Sequence, residues 1–284
     1  MSGTAIDLAG LRDWVGRERQ DRDVAHVRHA ALMAATLGMP GPAPAAGDAL
    51  PPLWHWIYFL EGRPPAELGR DGHPARGGFL PPVPLANRMW AGGRVSFEAP
   101  VALGEAVERH SRIASVESKT GKSGPLVFVT VVHEIRSRGR RCVVEEHDIV
   151  YRDPPAAGTA SPAGVEPPPA SHRRSLEPDS TLLFRYSALT FNGHRIHYDL
   201  DYCRQVEGYA NLVIHGPLVA TLLAGFAQEV AGRPLARFEY RALRPAILGA
   251  TLTLEADRVG ERIEAFCRLS TGGVSMRASA FPAP

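Results

Sequence analysis

Lysine is almost missing from this chain: Lys119 and Lys122 are the only two among 284 residues. Arginine carries nearly all the positive charge, and 32 basic against 30 acidic residues leave a formal net charge of +2. So small a balance gives no field that would gather nucleic acid or an anionic membrane. Cysteine is equally scarce. Cys142, Cys203 and Cys267 are odd in number and far apart, which argues against a disulfide framework and against a zinc site, and fits a reducing, cytoplasmic setting. No apolar run approaches the roughly 18 residues of a membrane span, and the opening Met1-Ser-Gly-Thr lacks a signal-peptide pattern. A dinucleotide fingerprint is absent. Gly121-Lys122-Ser123 ends like a phosphate-binding loop, but Val116 stands where that loop needs its first glycine. Ser187 and Ser275 lie outside any Gly-x-Ser-x-Gly context, against a hydrolase nucleophile. His26 and His29 have no neighbouring ligands, so no metal is expected.

What the chain does contain is a globular composition, 44% apolar and 22% charged, with length enough for two cores of ordinary size. An internal repeat organises it. Pro100-Val-Ala-Leu103-Gly104-Glu-Ala-Val107 and Pro245-Ala-Ile-Leu248-Gly249-Ala-Thr-Leu252 share proline, leucine, glycine and aliphatic positions at a constant offset of 145. Each copy follows a short aromatic-bearing strand (95–97 and 238–240). Each leads into segments of alternating polarity, 107–116, 126–135 and 142–151 in one half and 251–259, 262–269 and 274–281 in the other, the pattern of antiparallel strands. Residues 153–171, rich in proline, alanine and glycine, read as a tether. A second such stretch, 39–52, separates an N-terminal helix pair, with apolar Ile6, Leu8, Leu11, Trp14 and Val15, from the core that follows. The domain reading is therefore an N-terminal half over 1–152, a linker over 153–178 and a C-terminal half over 179–284.

The densest chemistry lies in Ser187-Ala-Leu-Thr-Phe-Asn-Gly-His-Arg-Ile-His-Tyr-Asp199 and, shortly after, His215-Gly-Pro-Leu218. The string reads as a short strand, a polar turn carrying Asn192, His194 and His197, and a helix start. Gly216 is placed at the N-cap and Pro217 at the first helical position, where a missing N–H costs nothing. Leu218, Leu222, Phe226 and Val230 then recur every four residues as a buried stripe. The string over 190–199 resembles the MaoC-like hydratase/dehydratase motif, Ser-Gly-Asp-x-Asn-Pro-Ile-His-x-Asp, and Gly77-Gly-Phe-Leu-Pro-Pro-Val-Pro-Leu-Ala-Asn-Arg-Met-Trp-Ala-Gly-Gly93 is similar to the N-terminal half of the two-hotdog mesaconyl-CoA and itaconyl-CoA hydratases and of the mitochondrial-type 3-hydroxyacyl-thioester dehydratases. The resemblance implies an α+β double hotdog: two curved antiparallel sheets, each wrapped around a central helix, with one active site in the second half and a non-catalytic first half.

It also implies a hydro-lyase that reversibly adds water to an α,β-unsaturated acyl-CoA, with the coenzyme A thioester as substrate and no cofactor or metal. Such an addition needs a group that takes a proton from water, one that delivers a proton to carbon, and donors for the enolate-like oxygen. His197 is read as the main acid/base, because imidazole titrates near neutrality. Gly216 N–H at the helix start is the donor the resemblance assigns to that oxygen. Asn192 stands where the family has aspartate and cannot titrate, so it is read as positioning water, while His194 supplies a second polar or titrating function. Arg195, Tyr209, His215, Arg88 and Trp90 are the candidate substrate contacts, Arg195 through a substrate carboxylate or the coenzyme A phosphates; Asp199 is read as fixing the loop. Two alternatives stand beside this reading: dehydration of a 3-hydroxyacyl thioester on coenzyme A or a carrier protein, and a non-catalytic acyl-thioester binder. No nucleic-acid or membrane partner is expected, and whether two chains form a homodimer stays open.

Overall fold

The computed structural model describes residues 7–121, 124–153 and 167–284. Ile6, Lys122, Ser123 and residues 154–166 of the expected tether lie outside the described residues. In chain order the elements are α1 (Leu8–Arg12), β1 (Glu18–Val24), α2 (Val27–Leu37), a 3-10 turn at Trp54–Ile57, β2 (Asn87–Phe97), β3 (Ala106–Gly121), β4 (Gly124–Ser137) and β5 (Arg140–Arg152). Then come β6 (His172–Leu176), α3 (Ser180–Thr190), a 3-10 turn at Arg195–His197, α4 (Leu200–Tyr202), α5 (Gly216–Ala231), β7 (Leu235–Ala242), β8 (Leu252–Val259), β9 (Arg262–Leu269) and β10 (Val274–Pro282).

The strands form one antiparallel sheet in the order β1-β3-β4-β5-β2-β7-β10-β9-β8-β6. Outward from the β2·β7 seam, both halves run second, fifth, fourth, third, first: the same topology twice, as a double hotdog requires. The repeated sequence motif takes one conformation in both places. Ala102 and Ile247, at the shared offset, each sit in an isolated antiparallel bridge, to Ala49 and Val213. Two residues on, Gly104 and Gly249 adopt φ of +92° and +101°, a region nearly closed to residues with a Cβ. At the seam, Gly93 pairs with Tyr240, and a Cβ there would lie 2.4 Å from the Tyr240 hydroxyl and 2.7 Å from the Glu146 carbonyl. The missing side chain lets the tyrosine ring cross from one half into the other.

The two bridges also reveal how the halves differ. Beyond Val213 the chain enters the 16-residue helix α5, which packs on β7, β8, β9 and β10. Beyond Ala49 it makes only the four-residue turn Trp54–Ile57, flanked by the left-handed, non-glycine residues Leu53 and Phe59. The central helix of the first half is thus cut to a single turn. That turn is pinned by Glu145 of β5, whose carboxylate accepts from His55 Nε2 (3.0 Å) and Trp56 Nε1 (3.0 Å). His55 and Trp56 of this turn, with Glu145, line the cavity between the halves.

Several sequence expectations change here. The N-terminal helix pair is interrupted by β1, and His172–Leu176 within the expected linker is β6. Both are edge strands, β1 rich in arginine and acid and β6 in arginine, so they lack the apolar alternation by which strands are recognised, a composition that also blunts edge-to-edge association. The short strand expected before Asn192 is the helix α3, whose N-cap Asp179 accepts from Leu182 N at 2.7 Å and whose buried Leu183, Tyr186 and Leu189 follow helical spacing. Helix α5 starts one residue early: His215 is the N-cap, Gly216 the first helical residue and Pro217 the second. Its buried face is also wider than the four-residue stripe, taking in Val219, Ala220, Thr221, Leu223, Ala224 and Ala227, while Leu222 and Val230 are only half-buried. The main core runs through both halves, with a smaller cluster around Val83, Leu85, Ile113, Val127, Val129 and Tyr151 in the first.

Candidate active site

A cavity of about 1760 Å³ lies between the halves. It is lined from the second half by Asn192, His194, His197, Tyr209 and Gly216, and from the first by Arg88 and Trp90. Arg195 and His215, expected as substrate contacts, do not line it. Arg195 is committed elsewhere: Nε and Nη2 donate to Asp199 Oδ2 at 3.0 and 2.6 Å, Nη1 donates to the Arg70 carbonyl at 3.2 Å, and the guanidinium lies 4.3 Å from the Tyr202 ring centroid. An i,i+4 pairing of opposite charges across the 3-10 turn makes it a brace. Asp199 also caps α4, accepting from Tyr202 N at 2.9 Å. His215 is fully buried behind the cavity wall.

His197 sits at the end of the Arg195–His197 turn, 6% exposed. Its Nδ1 donates to the Val213 carbonyl at 2.7 Å. A carbonyl can only accept, so Nδ1 carries the hydrogen and Nε2 of the neutral ring is left bare. Burial disfavours the charged form and lowers the pKa to about 3, against the opposing pull of the Val213 carbonyl. The ring stacks on His215, with centroids 3.6 Å apart and planes at 20°. His215 in turn meets Ser187 Oγ through Nε2 at 2.8 Å. His215 is the N-cap of α5, so the stack sits beside that helix's start, where Gly216, which also lines the cavity, carries one of the first-turn N–H groups without an intrahelical acceptor. Trp90 lies against this glycine: a Cβ on Gly216 would lie 3.1 Å from its Cε3. The slot therefore offers a bare imidazole nitrogen and a backbone N–H at a positive helix end, a pair suited to moving a proton beside a developing oxyanion.

Asn192 Oδ1 accepts from His194 N at 2.9 Å, so much of the side chain's acceptor capacity serves the turn itself. His194 stands edge-on to His197, at 5.4 Å between centroids, and 4.2 Å from a ring the sequence reading passed over, His73. His73 comes from the first half, in a loop whose Asp71 carbonyl accepts from Arg195 N at 2.9 Å. Gly72 is in such close backbone contact with Gly193 that a Cβ would lie 2.0 Å from the Gly193 carbonyl oxygen. The resemblance over the first half begins at Gly77, and Asp71-Gly-His73 carries no spacing signal of its own. From Gly77 to Leu85 only Leu80 reaches the cavity, because Arg76 ties the rest down through the carbonyls of Val83, Leu85 and Ala86.

Asp71, His73 and His194 approach within 4.8 Å of one another, close enough to ask whether they hold a metal ion. Both Asp71 oxygens are already used by His73, Oδ1 by its backbone N–H and Oδ2 by its Nδ1, each at 3.1 Å. Arg88 adds positive potential at the same place, felt by all three residues. This donor set does not fit a resident cation. Burial, followed by the neighbouring His73, depresses His194 to about 3, so these rings are neutral at physiological pH.

Beyond Trp90 the cavity wall carries a polar cluster among apolar residues such as Phe128, Ile135 and Ile149. Trp90 meets Trp56 edge-on at 5.3 Å and His147 at 5.9 Å, and His147 faces His133 at 6.2 Å. Glu145, His55, His133 and His147 all line this chamber. Burial alone would raise Glu145, but the hydrogen bond and charge of His55 hold it well below the usual carboxylate range.

Fold and site together define a MaoC-like double hotdog. A family model for hydroxyacyl-thioester dehydratase type 2 matches residues 53–248. The chain is 45% identical over 268 residues to the mesaconyl-C(4)-CoA hydratase of Chloroflexus aurantiacus, covering 94% of this chain and 95% of that protein. It is 26% identical over 238 residues to the mitochondrial hydroxyacyl-thioester dehydratase type 2 of Schizosaccharomyces pombe, covering 75% and 79%. Among solved structures, HtdX of Mycobacterium tuberculosis superposes with a TM-score of 0.69 at 17% identity, covering 94% of this chain and 99% of that one. The chain belongs to the hydroxyacyl-thioester dehydratase type 2 family.

Proposed function

We propose that this protein is a hydro-lyase that adds water reversibly to an α,β-unsaturated acyl-CoA, acting on a short branched dicarboxylic acyl group of the mesaconyl type. One observation carries the chemistry: His197, with its Nδ1 committed to the Val213 carbonyl and its Nε2 bare, and Gly216, the first residue of helix α5, line the same cavity. The acyl carbonyl accepts from Gly216 N–H, which draws electron density away from Cβ. Water attacks Cβ while His197 Nε2 takes one of its protons, and the electron pair of the double bond moves onto the thioester oxygen. The imidazolium then returns that proton to Cα. The ring returns to its neutral form, and the site ends as it began with one water added. Asn192 and His194 shape the water's pocket in this reading.

Arg88 and the polar chamber support the acyl assignment, alongside the name of the Chloroflexus relative. Arg88 lines the cavity beside the histidines and makes no salt bridge among the described residues, so its charge remains for a substrate carboxylate. Beyond Trp90 the chamber also presents His147, whose buried Nε2 has no hydrogen-bond partner among the described residues, and covering it with an alkyl chain would leave it unpaired. Dehydration of a longer 3-hydroxyacyl thioester is the second reading, favoured by the family model and the yeast relative. Three buried, unpaired cysteines support a reducing, cytoplasmic setting.

The test is direct. The purified chain is mixed with a panel of enoyl-CoAs and loss of the conjugated absorbance is followed, with His197→Ala as control. Turnover of the carboxylated substrates, lowered about 10²-fold or more in the variant, is the expected result. Preference for straight-chain substrates would favour the second reading; no turnover on any of them would leave a thioester binder.

A further inference from the structure

The site as derived so far has one group that moves a proton and no second group that holds the attacking water, because the Asn192 carbonyl is turned onto the backbone of its own loop. We propose that His73, fixed by Asp71 and delivered from the first half, is that second group: its Nε2 accepts the water hydrogen that is not transferred, aiming the oxygen at Cβ while His197 takes the other. This rests on the hydration reading above. In the step, one O–H bond of water breaks toward His197 and one C–O bond forms at Cβ. The hydrogen held by His73 stays on oxygen, so the product hydroxyl keeps it and His73 ends unchanged.

Three observations support the assignment. The Asp71 carboxylate receives the His73 Nδ1 hydrogen at 3.1 Å, which sets the tautomer and leaves Nε2 as a bare acceptor. The His73 ring lines the same cavity as His197, with His194 between them at 4.2 and 5.4 Å between centroids. The loop that carries His73 cannot drift, because the Gly72 and Gly193 backbones are in contact and Asp71 O accepts from Arg195 N. The charged and titratable groups around His73 are Asp71 and Arg88 from its own half and His194 and His197 from the other. Burial lowers the His73 pKa against the pull of Asp71, which keeps the ring neutral and able to accept. A loop that only braced the second half would need neither an oriented imidazole nor its carboxylate. The division of labour between a catalytic and a supporting half then gives way to one site assembled across the seam.

The experiment uses the full chain and a dicarboxylic enoyl-CoA that the wild type turns over. His73→Leu is expected to lower kcat about 30-fold or more, with KM within about threefold and an unchanged melting temperature. His73→Gln, which restores a carbonyl acceptor, should recover part of the loss. Asp71→Ala should lower kcat in the wild-type background and add nothing when His73 is already leucine, since its effect runs through that ring. A wild-type kcat in His73→Leu, an equal cost of Asp71→Ala with and without His73, or a loss that follows only the melting temperature would overturn the proposal. A wild type that turns over none of the panel would instead overturn the hydration reading.

Discussion

His197 and His215 stack face to face, with ring centroids 3.6 Å apart and planes 20° from parallel, and neither has a carboxylate to stabilise a charge. Their pKa values lie at about 3 for His197 and well below the ordinary value for His215, burial being the main cause in both. In the unfolded chain each ring titrates near 6.5, so below that pH the unfolded state binds protons that the native state refuses. Stability contributed by the stack is complete above about pH 6.5 and is lost as pH falls toward 3, at up to about 1.4 kcal/mol per pH unit for each ring. Denaturant midpoints at pH 7 and pH 5 should therefore differ by more in the wild type than in His215→Asn. An identical pH dependence in both proteins would show that the buried stack is not the source.

Gly216 has its place because Trp90 leaves no room for a methyl group. Gly216→Ala would bring a Cβ to 3.1 Å from the indole, at a position where alanine is the better helix former. Thermal stability should hold while kcat/KM falls about tenfold, as the indole shifts into the slot. Pairing the change with Trp90→Leu should restore part of the activity, and failure of that rescue would separate the glycine from the indole.

The two arginines that the sequence offered as substrate contacts should respond in opposite ways. Arg88→Met is expected to raise KM about tenfold or more for carboxylated enoyl-CoAs and to leave neutral ones nearly unchanged. Arg195→Met, which removes only the partner of Asp199, should change KM for both kinds by a similar, small factor and lower the melting temperature by a few degrees. A selective KM effect at position 195 would return that residue to the substrate.

At the seam, Gly93→Ala meets both a backbone carbonyl and the Tyr240 hydroxyl. Overpacking there should cost about 1–3 kcal/mol, read as a lower denaturation midpoint. Tyr240→Phe removes the nearer contact but not the Glu146 carbonyl, so it should rescue the variant only in part. Full rescue would mean that the two strands can separate at this point at little cost.

Much of this was legible in the residues. Alternating polarity located six of the eight inner strands, because each buries one face, while β2 and β7 were legible only as the short aromatic-bearing pieces 95–97 and 238–240. The repeat at an offset of 145 located the shared turn, because Gly104 and Gly249 both need a positive φ. His197 and Gly216 stood out because the string over 190–199 and the helix start after it resemble the MaoC-like motif. The edge strands β1 and β6 did not, since a solvated arginine-rich edge needs no apolar pattern. The helix α3 was mistaken for a strand, and its Asp179 cap lies outside the stretch that drew attention to it.

What the chain determined alone was local and periodic: two copies of one topology, a helix that begins beside a histidine, and the residue types able to move a proton next to a thioester. Only the tertiary structure decided which of those residues meet. It drew Arg195 away to Asp199, hid His215 behind His197, cut the first half's central helix to one turn whose His55 and Trp56 line the cavity, and carried Asp71 and His73 across more than a hundred residues of sequence to His194. Local pattern reports the period of a strand or helix, whereas contacts between distant loops depend on how the two sheets join at β2 and β7, for which no local period exists.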